Sequence, residues 1–208
     1  MGVRRSRNTE RRGTPADLLV VGLGNPGRDY VGTRHNVGFD AVEAFVDRFG
    51  GRLRPVKGVP VLADEVRVGT SRVVVAEPTT YMNESGLAVG PLMRRHGIDD
   101  PTRLVVVHDE LDLPPGRLRV KVGGGLAGHN GLRSIRAHCH TDEFIRVRIG
   151  VGKPPDPSRG ADHVLRRVPV AERRLLDAVV AHAVDALECL ASDGPDVAAE
   201  RFNGIVVE

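Results

Sequence analysis

Two stretches constrain the fold most: "DLLVVGLG" at residues 17–24 and "TRLVVVHDE" at 102–110. Each holds an unbroken apolar run of strand length that ends in glycine-rich or polar sequence. Such a run suits a strand covered on both faces, as in a sheet sandwiched between helices. Helical periodicity follows the first run. "NVGFDAVEAFVDRFG" sets Val37, Ala41, Ala44, Phe45 and Phe49 on one helical face and stops at Gly50-Gly51. "VPVLADEVRVGTSRVVVAEP" predicts two strands joined at Gly69-Thr70, and "GLAVGPLMRRHG" a helix despite its Gly-Pro. "RLRVKVGGG" and "FIRVRIGVG" alternate basic and apolar residues, as strands with one polar face do, and "AGHNGLRSIRAHC" opens a helix. "PVAERRLLDAVVAHAVDALECLAS" is the longest helix, with Leu175, Leu176, Val179, Val180, Ala183 and Leu187 inward, and "DVAAERFNG" is a short last one. Strands alternating with helices predict an α/β fold: a single domain with a twisted mixed β-sheet covered by helices on both faces.

At 208 residues one domain can bury a sizeable core, and with aromatics at 3% and no Trp, Val, Leu and Ala must build it. The expected domain is 17–208, behind an Arg-rich tail at 1–16 with no apolar periodicity, read as disordered. No apolar run reaches membrane-span length, and the N-terminus lacks the apolar segment of a secretory signal. Two cysteines make no disulfide framework, which points to a reduced, cytoplasmic setting. A net charge of +3 permits an RNA or phosphate partner without demonstrating one.

Gly22, Gly24 and Gly27 follow the first strand with the G-x-G-x-x-G spacing of a dinucleotide loop. The context disagrees. Pro26, Gly32 and Thr33 oppose a helix starting there, and the nearby acids Glu43 and Asp47 fall inside a helix instead of ending a second strand. The loop reads instead as a tight turn at the carboxyl end of a strand, presenting Asn25, Tyr30 and His35.

Four polar segments end strands or open helices: "GNPGRDYVGTRHN", "PTTYMNESG", "VVHDELDLPPG" and "GGGLAGHNGLRSI". Neighbouring strands would gather them at one sheet end. His35 is then the candidate base, because an imidazole exchanges its proton near neutral pH. Asp109, just past "LVVVH", is placed to hold its other ring nitrogen. His108 reads as turned into the sheet. The amides of Asn25, Asn83 and Asn130 could hold a peptide backbone and face an oxyanion, although capping is a rival duty for Asn83 and Asn130. Arg119 and Lys121 share one strand face, and Arg146 and Arg148 another, as in a phosphate clamp or a solvated face. No nucleophile elbow is visible. His138 and His140 flank Cys139 without a second cluster, so no metal site and no cofactor are expected.

Taken together, "GLGNPGRDYVGTRHNVG", "PTTYMNESG", "HDELDLPPG", "GGGLAGHNGLRSI" and "RVRIGVG" resemble, in order and spacing, the bacterial-type peptidyl-tRNA hydrolases, from Asp17 to about Phe202. The resemblance implies a single α/β domain, acting as a cytoplasmic monomer without metal, that hydrolyses the ester between a peptide and the 3′ end of tRNA. It implies that His35 activates water and that Asp109 supports its basic form. Asn25 matches a position that separates N-blocked from unblocked substrate. Tyr30, Tyr81, Asn83 and Asn130 match positions that touch the tRNA end or the peptide, and Arg119, Lys121 and Arg148 match basic positions near RNA phosphates. Two departures stand out: Leu126-Ala127 where the family often has His-Gly, and Tyr81 where Phe is frequent. A non-catalytic RNA-binding relative of this fold is the alternative function, and a nucleotide-dependent oxidoreductase a more distant one.

Overall fold

A computed structural model describes residues 15–154 and 156–207. Its centre is a mixed sheet of seven strands among these residues, in the order β2-β3-β4-β1-β5-β7-β6. The strands are β1 (Leu18–Gly22), β2 (Arg54–Pro55), β3 (Val61–Val68), β4 (Ser71–Pro78), β5 (Leu104–Glu110), β6 (Leu118–Val122) and β7 (Ile145–Gly150). β4, β1, β5 and β7 run parallel, while β3 and β6 pair antiparallel with their inner neighbours.

Alternation through the sheet explains the continuous apolar runs. Leu18 and Val20 of β1 join Val105 and Val107 of β5 in a core under α1 (Val37–Arg48), α5 (Val170–Ser192) and α6 (Pro195–Phe202). Leu19, Val21, Leu104 and Val106 face a second core under α2 (Ser85–Arg95) and α3 (Asn130–Cys139). Both sets are buried, and each buried Leu, Val or Phe contributes roughly 1.5–3 kcal/mol.

Two details differ from the sequence reading. Ala44 is exposed; the buried arc of α1 runs through Val37, Ala41, Val42, Phe45 and Val46 instead. Ala16, assigned to the tail, is 1% exposed, donates its N–H to His96 O and accepts from the Arg103 guanidinium. Most of the proposed tail, residues 1–14, lies outside the described residues. A further short helix, α4 (Gly160–Leu165), carries too little apolar periodicity to be read beforehand.

No helix starts in the glycine-rich turn; α1 begins only at Val37, after a 3-10 turn at Arg34–Asn36. Gly22 and Gly38 have a different duty. A Cβ on Gly38 would come within 2.5 Å of backbone atoms of Leu23 and Val107, and one on Gly22 within 2.3 Å of Gly38 O. Two missing side chains let the start of α1 press onto the ends of β1 and β5. The turn just before it is thereby delivered to the strand ends.

Candidate active site

That turn carries His35, whose Nδ1 lies 2.8 Å from Oδ1 of Asp109 near the end of β5. The β1–β5 pairing brings the two together, with Gly22 opposite Val107. Asp109 is 4% exposed. Burial alone would raise its pKa, but the adjacent His129 and His35 outweigh this and hold the carboxyl far below the usual carboxylate range. An ionised Asp109 makes His35 Nδ1 the donor and leaves Nε2 as the basic nitrogen.

A second imidazole shares the same oxygen. His129 Nε2 is 3.1 Å from Asp109 Oδ1, while its Nδ1 accepts from Gly131 N at 3.2 Å and Leu132 N at 3.4 Å as the N-cap of α3. An Nδ1 that accepts from helix N–H groups carries no proton, so Nε2 carries it and donates to Asp109. The three groups have ligating atoms within 4.8 Å of one another. The cap nevertheless occupies one His129 nitrogen and the proton the other, so the donor set does not suit a metal. His108 lies behind, 1% exposed, its Nδ1 2.7 Å from Asp109 O and its ring edge-on to His129. Burial and the neighbouring His129 push its pKa down to about 3, so it stays neutral.

Asn25 faces this group from the end of β1. Asn25 N donates to Asn36 Oδ1 at 2.9 Å, Asn36 Nδ2 donates to Asn25 O at 2.9 Å, and Met82 N donates to Asn25 Oδ1 at 2.8 Å. With its Oδ1 engaged, Asn25 has its Nδ2 left to donate into the cleft. The cleft has a volume of about 620 Å³, and its walls include Asn25, His35, Asp109, His129, Tyr81, Asn83 and Asn130, with Met82, Leu111, Val164 and Leu165 as an apolar side. Capping does not claim the two distal amides. The α3 cap is His129, and the 3-10 turn holding Asn83 has no side-chain cap. Tyr81 is 55% exposed, and Tyr30 meets it edge-on with ring centroids 6.4 Å apart.

A sequence profile of the peptidyl-tRNA hydrolases matches residues 19–208. The chain belongs to the peptidyl-tRNA hydrolase family. The peptidyl-tRNA hydrolase of Cutibacterium acnes is 48% identical over 195 residues, which cover 89% of this chain and 97% of that protein. The crystal structure of peptidyl-tRNA hydrolase from Acinetobacter baumannii superposes with a TM-score of 0.86 at 37% identity, covering 93% of this chain and 98% of that one. A complex of peptidyl-tRNA hydrolase with N-propanol gives the same TM-score at 38% identity, covering 91% and 95%.

Within this peptidyl-tRNA hydrolase fold the basic residues separate. Arg119 and Lys121 stand exposed on β6, opposite Arg148 and Arg146 of β7. Arg148 is held by Glu110, with Nε at 3.0 Å and the second nitrogen at 2.8 Å from Oε2. Arg146 is no part of a solvated or phosphate-facing strand face. It is 3% exposed and donates to Gly125 O at 2.7 Å, Gly124 O at 2.6 Å and Asp142 O at 3.2 Å, clamping the glycine loop before His129. In that loop Leu126 is buried and Ala127 adopts φ +47° at the cleft wall.

Sequence reasoning missed His129 and α4. A histidine directly before an expected helix start was a usable capping signal for the first; the second had none.

Proposed function

We propose that this chain hydrolyses the ester joining a peptide, or an N-blocked amino acid, to the 3′ end of tRNA. Asn83 and Asn130 hold the peptide, and water attacks the ester carbonyl while His35 Nε2 takes its proton. Asp109 supports the imidazolium that forms, as a buried carboxylate does for a histidine base. Asn25 Nδ2 donates to the developing oxyanion. The tetrahedral intermediate expels the tRNA 3′ oxygen, which receives the proton back from His35. A free α-amino group would bring a charge beside an amide donor and stay poorly paired, a basis for preferring blocked substrates. Tyr81, steadied by Tyr30, stacks on the tRNA end, and Arg119 and Lys121 face its phosphates; Arg148, already paired to Glu110, orders that face. The reading requires no cofactor and places the enzyme in the cytoplasm as a monomer. Among the described residues no helix is long and apolar enough to cross a membrane.

The observation that carries this reading is the His35–Asp109 contact of 2.8 Å at the wall of a cleft that also receives the Asn25 amide. The test is turnover of an N-acetylated and a free aminoacyl-tRNA. Wild type cleaves the first and spares the second, and His35→Ala abolishes cleavage while tRNA binding persists. A clean wild-type preparation that turns over neither removes the reading.

A further inference from the structure

Arg34, next to the base, points away from the cleft and is 8% exposed. Its guanidinium donates to Glu172 Oε2 in the first turn of α5 and reaches within 3.5 Å of His163 O in α4. On its far side Arg34, Glu172, Val151 and Val168 border a crevice of about 80 Å³, separate from the cleft. The guanidinium is thus buried between its two partners, with this crevice at its side.

The tethers of the two segments it joins are unequal. His35 is fixed by Asp109, and its turn by the Asn36–Asn25 pair. α4 is six residues long, shorter than a helix that stands alone. It contributes Ala161, Val164 and Leu165 to the cleft wall. Further ties are the buried Val164, the His163 Nε2 contact with Val151 O at 3.2 Å and, in the segment after it, Val168 N to Gly32 O at 2.9 Å, the Thr33–Arg167 bridge and Arg167 to Arg28 O at 3.4 Å. Removing Arg34 should therefore loosen α4 before it moves His35.

We infer that Arg34 is a positioning residue that fixes the α4 wall against the His35 turn and so sets the grip of the cleft on the peptide end of the substrate. This rests on the peptidyl-tRNA reading of the cleft. The planar guanidinium reaches the two acceptors from two separate nitrogens of one rigid fork, a span that the compact ammonium of lysine does not reproduce.

The experiment is steady-state kinetics on an N-acetylated aminoacyl-tRNA with wild type, Arg34→Lys and Glu172→Gln. Arg34→Lys raises KM about fivefold to tenfold and leaves kcat within about twofold, the pattern of lost ground-state grip. Glu172→Gln, at a side chain 54% exposed, raises KM about threefold with folding intact. A merely structural role would shrink the active fraction, lowering kcat with KM unchanged. That pattern, or an unchanged KM in a folded Arg34→Lys protein, overturns the inference alone. If Arg34→Lys does not fold, the Glu172→Gln KM decides. Absence of wild-type turnover overturns the functional reading and this inference with it.

Discussion

Asn36 clasps Asn25 through both ends of its amide, accepting from the Asn25 N–H and donating to the Asn25 carbonyl, each at 2.9 Å. One residue thus joins the Asn25 segment to the turn carrying His35. Asn36 is 4% exposed, so water cannot substitute for either bond. Asn36→Asp turns the donating end into a second acceptor facing a carbonyl. The expected outcome is a loss of roughly 2–4 kcal/mol in urea unfolding, from one lost bond and one buried repulsion. Turnover of the folded fraction should fall by at least about tenfold, since misplacement of a base by an ångström costs on the order of 100-fold.

His129 combines two duties that one substitution separates. Asparagine is a good N-cap but lacks the imidazole that reaches Asp109. His129→Asn should keep thermal stability within about 1 kcal/mol while kcat drops about tenfold, because Asp109 keeps only one of its two donors. An unchanged kcat would mean that His129 is a cap and nothing more.

Glu77 is 5% exposed, with Oε1 buried and unpaired. Burial, with Glu43 and Asp40 nearby, pushes its pKa from 4.5 up to about 8. The folded value lies above the unfolded one, so the stability present below about pH 4.5 is lost progressively as pH rises towards 8. Glu77→Gln cannot ionise. Its melting temperature should gain on wild type between pH 5 and pH 8, and a gain independent of pH would refute a titrating Glu77.

Ala127 holds φ +47° in a loop rich in glycine. The left-handed region costs a residue with a Cβ about 1 kcal/mol. Ala127→Gly should therefore stabilise by a few tenths to about 1 kcal/mol, the gain being trimmed by the freer unfolded chain. Chemical denaturation measures it.

The basic residues of β6 and β7 should divide by test. Arg119→Ala and Lys121→Ala weaken tRNA binding, and each lowers the salt slope by about 1, as loss of one phosphate contact does. Arg148→Ala instead leaves the buried Glu110 unpaired and lowers stability by about 3 kcal/mol or more. Binding isotherms at several salt concentrations, alongside unfolding curves, separate the two effects.

How far the sequence reached depended on the range of each interaction. β1 and β5 were legible because burial on both faces leaves an unbroken apolar run. His35 and Asp109 were legible because polar residues at the ends of such runs collect where parallel strands end. Arg146 and Arg148 were not. Both looked like the polar positions of an alternating strand, yet one reaches under a loop more than twenty residues away in sequence and the other meets a carboxylate on β5. α4 was invisible because six residues cannot display a helical stripe.

The sequence by itself determined the layers, the buried strands and the residues whose chemistry could serve a hydrolytic site. The tertiary structure decided which atoms of those residues are free to act. Asn25 keeps Nδ2 because Met82 N engages its Oδ1, and His129 donates to Asp109 because two helix N–H groups occupy its other nitrogen. Periodicity places a residue on a face to within several ångströms. A hydrogen bond depends on tenths of an ångström and on direction, and only the packed chain supplies those.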